Sequence, residues 1–319
     1  MHASRAVVLL GILATIAIAA PWAAPYDPSA SFRGYRHAPP MPPRVSKGLM
    51  VHPVTLESLL EERFAEDRTR TVPLPWSRRR SDPVFLLGAD RSGRDVLSRL
   101  LAGARVSLGL GLVSVLGATL LGSVLGAGAG AAGGRLDDSV MRAADFVVVL
   151  PVLYVVLVLR AAMPLVLPSA VIFALMAGIF VAVGWPVVAR GVRGIVARER
   201  DREYVLAARS LGAGHGRVLV RHLLPACAGH VAVQASLLLP AFVLAEAALS
   251  YAGLGFPDTT PSWGTMLHDA ADINELTRFP WVLAPALAIM AVTLTTNLAL
   301  QPRSPDGSPG RSPDPRNTR

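Results

Sequence analysis

Glu203-Tyr-Val-Leu-Ala-Ala-Arg-Ser-Leu-Gly212-Ala-Gly-His-Gly-Arg-Val-Leu-Val-Arg-His-Leu-Leu-Pro225 is a basic, partly apolar segment set between two long hydrophobic stretches. Such a segment is a loop that a membrane-spanning chain folds on one face of the bilayer. A helical span needs about 20 apolar residues. Outward from the loop, runs of that length lie near 6–25, 104–132, 144–164, 167–189, 226–251 and 281–301. The sequence therefore predicts an all-α polytopic membrane protein with six transmembrane helices. Composition agrees: 52% of the 319 residues are hydrophobic and mean hydropathy is +0.46, too apolar for a soluble domain of this size.

The charges set the orientation. After the fourth apolar run come Arg190, Arg193, Arg198, Arg200, Arg202, Arg209, Arg217 and Arg221 against Glu199, Asp201 and Glu203, whereas 161–169 carries no charge. Short basic loops stay on the cytoplasmic side, so 190–225 is expected inside. Both termini are then inside, and 26–100, 161–169 and 252–280 outside. The many arginines of 26–85 do not oppose this, because the rule is weak for long loops. The net charge of +9 follows the loops that flank spans, which argues for topology and lipid headgroups as its role and against nucleic acid.

Four segments follow. Residues 1–25 form an N-terminal anchor; Pro21 after Ala19-Ala20 is awkward just past a cleavage site, so this stretch reads as retained rather than as a signal peptide. Residues 26–103 form an extracytoplasmic loop with an amphipathic helix expected at 54–66, where Val54, Leu56, Leu59, Leu60 and Phe64 share a face. Residues 104–301 form the core with five spans, an inner loop at 190–225 and an outer loop at 252–280. The polar tail 302–319 is expected to be disordered. In the second span Ser114, Ala118, Gly122, Gly126, Gly130 and Gly134 recur every four residues. That stripe permits backbone-to-backbone helix packing, within one subunit or between two.

Enzyme chemistry is hard to place. Lys47 is the one lysine and has no Gly-Lys-Ser/Thr frame, so the chain carries no P-loop; if ATP drives it, another subunit binds the nucleotide. Cys227 stands alone, the seven histidines are scattered, and no Gly-x-Ser-x-Gly turn occurs. Of the ionisable groups in or beside spans, Asp145 is expected to pair with Arg142 one turn earlier, and Arg160 to snorkel outward. Glu246 has no basic residue between Leu237 and Gly255. It must find a partner on another helix, face a wet cavity, or sit near the outer headgroups, and a role at the pathway's outer gate and a plain interhelical hydrogen bond are equally open.

The inner loop itself predicts two short helices. Tyr204, Ala207, Ala208 and Leu211 share one face, Gly212-Ala-Gly-His-Gly216 breaks the helix, and Val218–Leu224 resumes it before Pro225. Periodicity alone leaves a docking knob and an interfacial amphipathic hairpin equally open.

Ala207-Ala208, Gly212 and Leu224-Pro225 fall at the spacings of the loop motif of permeases in binding-protein-dependent ABC importers, which the chain resembles. Gly88-Ala-Asp90-Arg-Ser-Gly93-Arg94-Asp95, then Met141-Arg142, Asp145 and Pro151, then Glu246–Gly255 with Pro261-Ser-Trp263-Gly264, resemble successive segments of the dipeptide, oligopeptide and nickel branch. In order, these cover residues 85–298. The resemblance implies a permease fold whose loop 199–225 docks on an ATPase subunit. It also implies a second homologous permease, two ATPases that bind ATP and Mg, and an extracytoplasmic solute-binding protein meeting 26–100 and 252–280. The chain itself would bind no cofactor and sit in a bacterial inner membrane. Leu206 stands where relatives carry an acidic residue, so docking would lean on apolar contact, or Glu203 would substitute from one turn earlier. After Asn297-Leu298 the usual Gly-Asp-rich continuation is missing. An ion-driven secondary transporter and an assembly-only subunit are the competing readings.

Overall fold

The computed structural model describes residues 2–45, 49–58, 63–74, 82–151, 154–155, 158 and 167–300. The chain is mostly helical. It contains α1 (His2–Ala19), α2 (Val96–Ala132), α3 (Gly134–Val149), α4 (Ser169–Glu199), α5 (Glu203–Ser210), α6 (His215–Tyr251), α7 (Trp263–Asp269), α8 (Ile273–Arg278) and α9 (Ala284–Leu300). Four helices are long and apolar enough to cross a membrane: α2, α4, α6, and α9 with the 3₁₀ turn before it, at Pro280–Ala299. The apolar part of α1, Ala6–Ala19, is shorter than a full span. The six expected spans therefore reduce to four among the described residues. The third expected span, 144–164, is represented by the end of α3, and about half of it lies outside the described residues, as do Arg160 and the tail 302–319.

The small-residue stripe explains how the bundle closes. Gly122 of α2 faces the Trp185 carbonyl and Val188 of α4, Gly126 faces Ala189, and Gly130 faces the Arg193 carbonyl and Val196. A methyl group added at Gly122 or Gly130 would sit 2.7 Å from a carbonyl oxygen of α4, so only hydrogen at those positions allows this approach. The stripe thus packs within one subunit. Nearer the start of α2, Leu108, Leu110, Val115 and Ala118 join Phe180 of α4 and Leu239, Phe242 and Val243 of α6 in the main core. Phe180 and Phe242 stack with centroids 5.2 Å apart.

Two expectations are corrected. Asp145 pairs with Arg190 of α4 at 2.7 Å rather than with Arg142; the partner across the helix pair outcompetes the one along the helix. Instead of the helix expected at 54–66, β3 (Val54–Ser58) and β4 (Arg63–Glu66) pair as antiparallel strands; residues 59–62 lie outside the described residues. Val-Thr-Leu-Glu-Ser is rich in β-branched residues and alternates inward and outward with period two, which a strand satisfies. Beside it, β1 (Arg44–Val45), β2 (Leu49–Val51) and β5 (Val72–Pro73) form a small antiparallel sheet. The described residues between 26 and 95 therefore make a compact module, called the outer module after the side expected from the sequence, with a core of Met41, Val51, Val84 and Phe85, edged by Tyr26, Phe32 and Tyr35. It is joined to α2 directly: the Tyr26 amide donates to Ser98 Oγ at 3.0 Å.

Candidate functional site

At the end of the bundle away from the outer module, the two predicted helices are present as α5 and the first turns of α6. Val205 (0% exposed), Val218 and Leu223 insert among Ala127, Val188, Val192, Val196 and Cys227, which roots the loop on α2 and α4. The opposite side is bare. Tyr204, Leu206 (49% exposed), Ala207 and Leu211 (90%) face outward, with Ala208 half-buried. The result is a patch of exposed apolar side chains on a buried root. Glu203 lies exposed in the first turn of α5, where the helix dipole favours a carboxylate.

The role of Gly212 is geometric. The Gly212 amide donates to the Arg209 carbonyl at 2.9 Å and the Ala213 amide to the Ala208 carbonyl at 3.0 Å, the pairing of a Schellman cap. That cap requires a left-handed residue, and Gly212 has φ +85°. Leu224 packs against the Val205 cluster, and Pro225 is exposed. Pro225 lacks an amide hydrogen, and the helix runs through it by widening to a π turn over Leu219–Leu223. Glu203, Ala207, Ala208 and Gly212 thus lie on α5 and its cap, while Leu224 and Pro225 lie where the π turn passes into the long part of α6.

Glu246 lies far from that loop along α6 and is 0% exposed. It accepts hydrogen bonds from Ser107 Oγ of α2 and Ser250 Oγ of its own helix, both at 2.8 Å. Ser107 Oγ in turn accepts from the Trp263 amide at 3.1 Å. The interhelical hydrogen bond is the partner the sequence required. It ties together α2, α6 and the start of α7, whose cap is a reciprocal Ser262–Thr265 box.

The other end of α7 is held by charge. Asp269 accepts from Arg91 at 2.6 Å, Arg94 at 3.1 Å and Arg99 at 2.8 Å; Asp90 accepts from Arg94 at 2.8 Å and Arg99 at 2.5 Å. Arg99 is 2% exposed. Burial alone would raise the Asp90 carboxyl, but Arg99, the Arg94 amide and the Arg94 guanidinium take it below the ordinary carboxylate range. Burial also raises the Asp95 carboxyl, and the hydrogen bonds from Ser98 only partly oppose this. Sequence reading noticed Asp90–Asp95 as a segment but assigned it no role. The visible signal was three arginines and two aspartates packed into Asp90–Arg99; the missing partner, Asp269, is 170 residues from Arg99.

An exposed apolar loop at one end and a helix clamped at both its ends at the other flank four helices long and apolar enough to cross a membrane. Comparison with known proteins agrees. Residues 108–301 match the family described as "Binding-protein-dependent transport system inner membrane component". The chain is 37% identical over 283 residues to the di/tripeptide transport system permease protein DppC of Pseudomonas aeruginosa, covering 88% of this chain and 79% of that protein. It is 37% identical over 207 residues to the oligopeptide transport system permease protein OppC of Bacillus subtilis, 65% of each chain. It is 31% identical over 295 residues to the nickel transport system permease protein NikC of Escherichia coli, covering 92% of this chain and 88% of that one. These relatives are transport subunits, not enzymes, and the family's transport systems operate with ATPase and solute-binding partners. The helices, the loop and the extent of the match lead to one conclusion: this chain belongs to the inner-membrane permease components of binding-protein-dependent ABC importers.

Proposed function

We propose that the chain forms half of a translocation pathway for peptides or a similarly handled solute, with a second homologous permease forming the other half. Two ATPase subunits, holding ATP and Mg, would dock on the surface formed by Glu203, Ala207, Ala208 and Gly212, and Leu224-Pro225 would carry their movement into α6. A solute-binding protein would meet the outer module and loop 252–280. In this arrangement the apolar part of α1 and the stretch 144–164 complete six spans, both termini are cytoplasmic, and the membrane is the bacterial inner membrane. Glu246, at the junction of α2, α6 and α7, would act at the outer gate.

The observation that carries the reading is the contrast within one short loop: Val205 fully buried, Leu206 and Leu211 exposed. A hairpin lying on lipid would need no such root in α2 and α4. Leu206, in place of an acidic residue, enlarges the apolar part of the surface, and Glu203 supplies charge at its edge. The test is to purify the tagged chain in mild detergent and identify what travels with it. Two ATPases and a second permease support the reading; a homo-oligomer transporting solute under an ion gradient overturns it.

A further inference from the structure

Arg105 lies on α2 just inside the end that carries the outer module, and it is exposed. Among the described residues it makes no hydrogen bond or ion pair. It opens instead onto two adjoining cavities. One, of about 420 Å³, is walled by α1 and α2 through Ala17, Ile18, Leu112 and Val113, with Phe173 of α4 and Trp22 at its edge. The other, of about 440 Å³, shares Arg105 and Phe173 and ends at Pro28 and Pro261. No acidic residue lines either one.

The order of these groups along the bundle is informative. Trp22 is 81% exposed and sits with Arg105 at the outer-module end, the pairing found where a helix bundle meets headgroups. From Arg105 inward, the same face of α2 presents Val113, Leu116 and Leu120, all exposed. Eleven residues of helix from Arg105 to Leu116 cover about 16 Å, close to one leaflet of a hydrocarbon core about 30 Å thick. A single uncompensated guanidinium above an apolar channel one leaflet deep matches an anion attached to a hydrocarbon tail. A free carboxylate solute would leave the apolar stripe below unused.

We propose that the groove between α1 and α2 binds an anionic phospholipid, its phosphate on Arg105, its headgroup beside Trp22 and an acyl chain along Val113 and Leu116. A guanidinium holds a phosphate by a fork of hydrogen bonds that an ammonium reproduces only in charge.

The assembled transporter, as wild type and as Arg105→Gln and Arg105→Lys, would be titrated with phosphatidylglycerol or phosphatidylcholine in neutral detergent. Bound lipid is counted by native mass spectrometry and the thermal midpoint followed in parallel. Phosphatidylglycerol is expected to bind the wild type more tightly than Arg105→Gln by about fivefold, the worth of one arginine at an anionic surface. Arg105→Lys should fall between, and phosphatidylcholine should not discriminate. Equal phosphatidylglycerol retention by wild type and Arg105→Gln overturns the proposal. So does a loss of solute uptake in Arg105→Gln with unchanged lipid retention, which would place Arg105 on the solute's path. Copurification of the partner subunits is scored separately, so failure here leaves the importer assignment standing.

Discussion

Gly212→Ala isolates the coupling surface from the rest of the fold. A β-carbon at Gly212 meets no atom within 4 Å, so the substitution creates no clash. Its cost comes from φ +85° alone. An L-residue held in that left-handed conformation loses about 1–2 kcal/mol, a factor of about 5–30 in the population of the intact Schellman cap. Because the transmembrane core is untouched, the cost falls on the end of α5, and the surface bearing Leu206 and Leu211 loses its fixed orientation. Gly214, two residues on, provides the control. It is equally open but has φ −68°, which alanine adopts without strain, so Gly214→Ala should be neutral or slightly stabilising. The assay is solute-stimulated ATPase activity of the assembled complex, with subunit stoichiometry checked on the same sample. Gly212→Ala should lower stimulation several-fold while Gly214→Ala leaves it unchanged. Full stimulation in Gly212→Ala, or equal loss in both variants, refutes coupling through this cap.

Leu211→Glu places a charge on a 90% exposed side chain; thermal stability of the chain should move by less than about 0.5 kcal/mol while ATPase copurification drops. Asp269→Ala leaves buried Arg99 with Asp90 and, at 3.7 Å, the exposed Asp258; breaking a buried pair costs about 3–5 kcal/mol, so expression and thermal midpoint should fall sharply. Glu246→Gln keeps one acceptor oxygen for the two serine hydroxyls and turns the other contact into an amide that donates to a serine oxygen, so it should preserve assembly; solute uptake is expected to fall, and unaltered uptake removes Glu246 from the gate. The Asp90 network also sets a pH dependence: a carboxyl held below its ordinary value stabilises the fold above its unfolded pKa, near 4. That contribution is lost as pH falls through the lower folded value. Asp90→Asn should flatten the acid limb of a stability-versus-pH curve.

The stripe of Gly122, Gly126 and Gly130 was legible because a period of four is a property of one helix. Ala207-Ala208, Gly212 and the break after Leu211 were legible because helix caps are local. The hairpin at 54–66 was not: Val54, Leu56, Leu59, Leu60 and Phe64 satisfy a helical face loosely, and pairing across the strands decided the matter. The Arg99–Asp269 clamp and the Glu246–Ser107 bond join residues 170 and 139 positions apart; sequence named the need of Glu246 for a partner but could not name Ser107. Val205 and Leu206 looked alike as apolar neighbours, and only the packing of α2 and α4 separates root from surface.

The seam between α2 and α4 has a mechanical meaning. Where carbonyls lie against glycines there are no long side chains to rotate and absorb a displacement, so the two helices behave as one stiff beam. Along α2 the distance from Arg99 in the clamp to Ala127 at the Val205 root is 28 residues, about 42 Å of helix. If α5 docks on an ATPase as proposed, a push on it would reach the far end as a tilt of the whole beam, with the outer module and α7 attached to it.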